Sequence, residues 1–404
     1  MNFKSVNKCT VCESSNVNEV LNLPNYPLTE FLHSSVILDK NLLLDNKLFF
    51  CIECHHGFLM NQVDPLFLYG ESYKTKSKSS SSMGVLNRFV DYLVDSKILL
   101  DRDFIIDIGA NDGSLLKLIN NLNLNLELFG IDPVWQNTEG INGFRGFVNE
   151  CDINSISKSR KNRLFIATHV LEHISNPIET LNTLYNFMSS NDKVILIFPA
   201  LEPLFVDNRI ESIHHQHMQY FSYNSFSKLI EVVGLSIVES WIDFDHYGAA
   251  CVVLEKSTGS KEKKSSSKDK WKEYSFRFFS GDLQEKYVNK IEKSVNLFSK
   301  NIELINENLH SRYVVGLGGG ALMSPIIFYH LKPWESIMAI YDDDEEKSGW
   351  HWANTPHPIQ KTPASLGGLD VLLIGSVSKL TGRMLFDKAT KLKANSIIFP
   401  TIGA

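Results

Sequence analysis

Asp107-Ile108-Gly109-Ala110-Asn111-Asp112-Gly113 closes the apolar run Phe104-Ile105-Ile106 and leads into Ser114-Leu115-Leu116-Lys117-Leu118-Ile119. The run predicts a strand over Phe104 to Ile108, and the segment after it a helix over Ser114 to Leu122. Glycines between them let the backbone approach a ligand closely at a helix start. The loop lacks the third glycine of Gly-x-Gly-x-x-Gly, and no Gly-Lys-Ser/Thr follows it. It is therefore neither a dinucleotide fingerprint nor a phosphate loop. The next apolar run ends Phe129-Gly130-Ile131-Asp132, 25 residues after Asp107. An acidic side chain at that strand end is placed to accept the ribose hydroxyls of an adenosine. Asp107, Gly109, Asn111, Asp112, Gly113 and Asp132 are thus the candidate cofactor residues, and the short polar loop suits S-adenosylmethionine (SAM) better than NAD.

Outward from this turn the pattern alternates. A helix is expected over 84–98 and strands over Leu126 to Ile131, Leu164 to Thr168 and Lys193 to Pro199, with a helix over Pro177 to Met188. Such alternation predicts an α/β fold with a parallel sheet. A helix over Ser222 to Val233 and strands over Leu235 to Phe244 and Ala249 to Glu255 then close the sheet, as at the edge of a methyltransferase-type sheet. This domain is taken as 71–257, with a Lys/Ser-rich linker at 258–273. A long helix, Lys270 to Leu309, leads to a second strand-glycine unit, Tyr313-Val314-Val315-Gly316-Leu317-Gly318-Gly319-Gly320. Residues 274–404 therefore read as a smaller Rossmann-like α/β domain whose glycines either bind a pyrophosphate or only turn the chain.

Residues 1–70 carry Cys9-x-x-Cys12 and Cys51-x-x-Cys54. No apolar signal core precedes them, so the chain reads as cytosolic, where paired reduced thiols favour metal over disulfide. Two such pairs predict a structural zinc (Zn2+) site in a ribbon-like module, 38 residues between the pairs being too long for a finger loop. His55 and His56 are alternative ligands. Cys151 and Cys251 stand alone and read as core residues. The Ser-rich stretch 70–84 is a linker or a lid.

The net charge of −6 argues against nucleic acid as a partner, and no apolar stretch reaches the length of a membrane helix. A small-molecule substrate remains. Its chemistry falls on Glu211-Ser-Ile-His214-His215-Gln216-His217, after the strand ending Pro199, and on His173 in His169-Val-Leu-Glu172-His173. Both follow strands at the carboxyl edge of the sheet, where open α/β folds bind ligands. Histidine is suited to moving a proton at neutral pH, and clustered histidines also hold metals.

With these residues in view the chain resembles the C-methyltransferases of nucleotide-activated deoxysugars, over nearly its whole length. That family shows a Tyr-x-Glu-His segment leading into Tyr/Phe-Ser; here it reads His214-His215-Gln216-His217-Met218-Gln219-Tyr220-Phe221-Ser222. The resemblance implies that His217 is the base and His173 a second catalytic histidine. His214 stands for the family tyrosine and Gln216 for its glutamate, which removes a charge and should lower the histidine pKa values. Tyr73 matches a family tyrosine ahead of the SAM domain. Trp352 to Ile359 resembles the family's segment ending in Pro-Ile, while its late Trp-Asn pair is not evident at Gly375 to Ser378. The implied reaction is SAM-dependent methylation of a carbon beside the keto group of a nucleotide-linked 4-keto deoxysugar. The rivals are O-methylation of a sugar or related molecule, an NAD oxidoreductase using Gly316 to Gly320, and a non-catalytic zinc- and SAM-binding protein.

Overall fold

The computed structural model describes residues 3–28, 32–34, 43–69, 80–136, 138, 140–157, 160–207, 209, 212–246, 248–257, 268–279, 283–309, 314–317, 337–352, 357–366, 371–374, 379–393 and 395–398. The N-terminal unit comprises β1 (Phe3–Ser5), β2 (Val17–Pro27), β3 (Leu32–His33), β4 (Leu43–Cys51), β5 (Gly57–Leu59), β6 (Asn61–Val63) and α1 (Pro65–Leu68). Along β4 every second residue is buried, Leu44, Asn46, Leu48 and Phe50 facing inward. That is the period of a strand with one wet face.

The central unit runs α2 (Ser80–Asp95), β7 (Phe104–Ile108), α3 (Ser114–Asn120), β8 (Glu127–Asp132), β9 (Asn142–Arg145), α4 (Ile153–Ile156), β10 (Arg163–Thr168), α5 (Pro177–Phe187), β11 (Lys193–Pro199), α6 (Leu201–Val206), β12 (Gln219–Tyr220), α7 (Tyr223–Val233), β13 (Leu235–Asp243) and β14 (Ala249–Lys256). Its seven-stranded sheet has the order β13-β14-β11-β10-β7-β8-β9. Strands β9 to β11 through β8, β7 and β10 are parallel, and β14 and β13 close the edge antiparallel. Strand β7, at the centre of the five parallel strands, is buried along its whole length, as expected of a parallel strand covered on both faces. The chain leaves β7 for β8 on one side and later returns to β10 on the other. The crevice at the carboxyl ends of β7 and β10 is therefore the switch point where such sheets take ligands.

Three differences from the sequence reading bear on the site. Strand β9 was not expected; Asn142-Gly143-Phe144-Arg145 is half exposed and has no apolar run. Strand β12 pairs with β5, which makes the sheet β12-β5-β4-β2 out of both units. The single helix expected from Lys270 to Leu309 is two, α8 (Lys270–Phe278) and α9 (Leu283–Leu309). The first is anchored on the central unit by fully buried Trp271, whose indole N–H donates to Glu202.

The C-terminal unit follows with β15 (Val314–Leu317), β16 (Ile337–Asp342), β17 (His351–Trp352), β18 (Ile359–Lys361), β19 (Val371–Ile374), α10 (Lys379–Lys391) and β20 (Ser396–Ile398). Its parallel sheet has the order β18-β16-β15-β19-β20. Gly316 ends in β15, while Gly318 to Gly320 and the segments 353–356 and 375–378 lie outside the described residues.

Candidate active site and metal centre

The turn after β7 has the geometry its glycines suggested. Gly109 and Gly113 have φ of +74° and +72°. A Cβ on Gly109 would lie 2.3 Å from Val170 Cγ2, so only glycine lets the turn pass the β10 loop. Asn111 is also left-handed, and its backbone N–H donates to Asp132 Oδ2 at 2.9 Å. Asp132 Oδ1 accepts from Val134 N at 2.8 Å. The Asp132 carboxylate thus ties the two loops of the switch point together. Asp112 Oδ1 accepts from Ser114 N at the start of α3.

Sequence reading missed Trp135, which packs over this turn. A Cβ on Gly130 or Gly143 would lie 2.4 or 2.1 Å from its ring, so both glycines exist to make room for it. Only a pairing of strands β8 and β9 brings those glycines together, and no local pattern announces that.

Asp107 is 2% exposed and its Oδ1 has no hydrogen-bond partner. Burial first, and then the nearby Asp132, hold its pKa well above the usual carboxylate range. A folded-state pKa raised this way stabilises the fold at acid pH and is lost as the pH rises through it. Asp107→Asn is therefore expected to raise the melting temperature of the ligand-free protein at neutral pH. The gain should vanish below the ordinary carboxylate pKa of about 3.9. Thermal melts across pH check this, and an unchanged melting temperature at neutral pH would show that the buried charge costs nothing.

Across the crevice, the loop after β10 and the segment before β12 bring the histidines together. The His173 and His217 rings are 5.0 Å apart between centroids, and His214 and His217 4.1 Å. His173 Nδ1 lies 2.8 Å from the Gln216 carbonyl, and His217 Nδ1 lies 3.1 Å from the Ser212 carbonyl. A carbonyl only accepts, so both Nδ1 atoms carry hydrogen, and in each neutral ring the lone pair is on Nε2. Burial, followed by the neighbouring histidines, holds the His217 pKa well below the ordinary imidazole value. Burial is likewise the first cause for His173 and His214. The histidine pKa values are thus lowered by burial and by one another, and among these causes none traces to the charge that Gln216 lacks. His214, His215 and Gln216 are buried, and His215 Nε2 donates to the Leu44 carbonyl in β4. Gln216 is 2% exposed, and its Nε2 has no hydrogen-bond partner.

Sequence reading gave no role to four further residues at this site. Glu172 is 1% exposed, and its Oε1 accepts from His169 Nδ1 at 2.9 Å. His169 Nε2 lies 2.9 Å from His246 Nε2, so one hydrogen is shared between the two rings and the three groups form one chain ending on the carboxylate. Tyr69 sets its ring edge-on to His173 at 5.7 Å. Tyr73 lies outside the described residues, as does Glu211.

The four cysteines converge although 38 residues separate the pairs. Cys9 Sγ is 3.5 Å from Cys54 Sγ and Cys12 Sγ 3.5 Å from Cys51 Sγ, with all four within 4.8 Å of one another. Four thiolates ~2.3 Å from a tetrahedral zinc sit ~3.8 Å apart, so the set fits such an ion. The Cys54 thiol holds Cys9 down at about 4, whereas burial pushes Cys51 up to about 11 and Cys54 is pushed up further by Cys9. A dication among the four sulfurs favours their thiolate forms. Neither neighbouring histidine joins the set. The His55 ring stacks on Phe279 at 4.4 Å, and His56 Nε2 donates to Gln219 Oε1 at 2.9 Å. Cys151 and Cys251 are buried in the core, with Cys151 raised to about 11 by burial.

Residues 84–240 match the family described as Methyltransferase domain (Methyltransf_23). The chain is similar to the C-methyltransferase NovU of Streptomyces niveus, at 24% identity over 257 residues, which is 62% of this chain and 60% of NovU. The chain thus spans less than two thirds of that relative. Among solved structures it is similar to human N-acetylserotonin methyltransferase in complex with SAM, at 12% identity, covering 49% of this chain and 63% of that one with a TM-score of 0.33. It is also similar to the plantazolicin methyltransferase BpumL in complex with a pentazolic desmethylPZN analog and SAH, at 15% identity, 44% of this chain and 90% of that one, TM-score 0.34. Among the described residues no helix is long and apolar enough to cross a membrane. The family match over residues 84–240 falls on the sheet that carries the glycine turn and Asp132 at its switch point, so the central unit carries a methyltransferase domain.

Proposed function

We propose that the chain is a SAM-dependent C-methyltransferase acting on a nucleotide-linked 4-keto deoxysugar, with a structural zinc on Cys9, Cys12, Cys51 and Cys54. The observation that carries the reading is the tautomer of His217. Its Nδ1–H is spent on the Ser212 carbonyl, so the base lone pair is on Nε2, in a partly exposed ring at the carboxyl edge of the sheet. The similarity to NovU, a C-methyltransferase by name, supports carbon as the acceptor. The nucleotide-sugar class rests on the resemblance of the His214 to Ser222 segment and of the domain order to the deoxysugar C-methyltransferases.

When bound, SAM supplies a methyl carbon made electron-poor by its cationic sulfur. Asp132 would accept the ribose hydroxyls with the lone pairs its two backbone donors leave open. A cationic ligand beside buried Asp107 would offset the cost of ionising its carboxyl group. His217 Nε2 takes the proton beside the keto group, and the electron pair of the broken C–H bond delocalises onto the keto oxygen. A developing oxyanion needs donors. Neutral His173 presents a lone pair on Nε2, so it serves that oxygen only once protonated; the unpartnered amide N–H of Gln216 is a donor at neutral charge.

Mass spectrometry of products from a panel of nucleotide-linked keto sugars with labelled SAM tests the reading, and transfer to none of them removes it. Asp132→Asn is expected to weaken SAM binding by about 1.5–3 kcal/mol through loss of a charge-assisted hydrogen bond. Calorimetry checks this. An unchanged affinity would mean that another group holds the ribose.

A further inference from the structure

We propose that Glu172, His173 and His217 form a second metal-binding site, for a divalent transition ion, distinct from the four cysteines. One carboxylate oxygen and one nitrogen from each ring lie within 4.8 Å of one another. His173 Nε2 is 3.9 Å from Glu172 Oε1. What singles the cluster out is its protons. Both histidine Nδ1 hydrogens point away, onto the Gln216 and Ser212 carbonyls. The Nε2 lone pairs are left as the acceptors of the two rings. Glu172 adds a third set of lone pairs, because its Oε1 takes the His169 hydrogen and its Oε2 has no partner although the side chain is 1% exposed. Three acceptors converge with no hydrogen among them, and a cation satisfies all three.

The arrangement matches how proteins prepare metal ligands. A ligating imidazole has its other nitrogen donated to a carbonyl or carboxylate, which sets the tautomer and the ring orientation. Here each ring has that carbonyl, and the carboxylate has its own support from His169, which is hydrogen-bonded in turn to His246. Two histidines and one glutamate are a donor set for zinc or cobalt with coordination positions left open. An ion there would hold the Nε2 lone pair of His217. Binding of the ion and removal of a substrate proton by His217 therefore exclude each other. That consequence rests on the proposed function, whereas the site itself does not.

The test uses the full chain with its cysteine metal in place, titrated with Co2+ alone. One additional equivalent is expected, with d–d absorption and without the sulfur-to-cobalt charge-transfer band that exchange into the cysteine site would give. X-ray absorption of the wild-type adduct is expected to show a nitrogen and oxygen shell with imidazole scattering. Glu172→Gln and His173→Gln should each weaken the second equivalent at least ~10-fold while the cysteine metal stays. A stoichiometry that ends at the cysteine site, a sulfur shell for the added ion, or unaltered binding in both folded variants overturns the proposal. If both variants misfold, the wild-type absorption spectrum decides by the presence or absence of imidazole. Where methyl transfer is measured, the ion should inhibit competitively with the acceptor and leave SAM affinity unchanged. Binding at full stoichiometry without inhibition would leave the site standing and remove His217 as the base.

Discussion

His217→Ala is expected to lower turnover by roughly 10²–10⁴-fold while SAM still binds, the loss that follows removal of a general base. The hydrogen bond of the ring runs to Ser212 rather than to the switch-point loops. Truncation leaves His173 with its own carbonyl partner at Gln216, so the remaining histidine stays oriented. An isotopic measurement separates a base acting on carbon from one acting on oxygen. With SAM replaced by its demethylated product, the wild-type protein should exchange the proton beside the keto group with deuterated water. His217→Ala should not. Methyl transfer that retains every carbon-bound proton of the substrate would mean an oxygen acceptor, and the C-methyl reading would fall.

What the sequence made legible is what is local. Phe104-Ile105-Ile106 and Leu128-Phe129 are apolar runs ended by acidic residues, and they became neighbouring strands because both faces of such runs need cover. The glycine turn was readable for the same reason: a left-handed backbone and a close approach leave a chemical trace in the residue type itself. The histidine segment could be placed at the sheet edge from the strand that precedes it. Its partners could not. His246 is 77 residues from His169 and comes after two elements with no chemistry of their own. Glu172 sits in a short turn where any acidic residue looks like a solvated surface group, and only burial makes it different. Strand β12 is two residues long, too short for any period, and its partner β5 lies in the cysteine unit. Non-local pairing of that kind is written in no window of sequence.

That pairing sets the second large effect. Purified protein is expected to hold close to one zinc per chain on the cysteines, and Cys54→Ser to lose it. A structural zinc of this type is worth on the order of 10 kcal/mol to the segment that folds around it. Its loss should unfold the knuckles at Cys9 to Cys12 and Cys51 to Cys54, and the damage should not stop at residue 70. Gly57 and Phe58 pair with Tyr220 and Gln219. The Thr10 hydroxyl, inside the first knuckle, donates to Gln219 Oε1 at 2.7 Å, and Gln219 Nε2 donates to the Ile174 carbonyl beside His173. Gln219 is two residues from His217, so the knuckle, the base and the loop after β10 share one side chain. The glycine turn and Asp132 are held instead by the parallel sheet, through Gly109 N to Ile131 O at 2.8 Å and Asn111 N to Asp132 at 2.9 Å. Cys54→Ser should therefore cut turnover severely while SAM affinity survives. Hydrogen exchange should rise at 57–59 and 214–220 and stay slow at 104–108 and 127–132. Reduced, metal-free protein that kept both its turnover and its protection at 214–220 would show that the cysteine centre is independent of the catalytic segment.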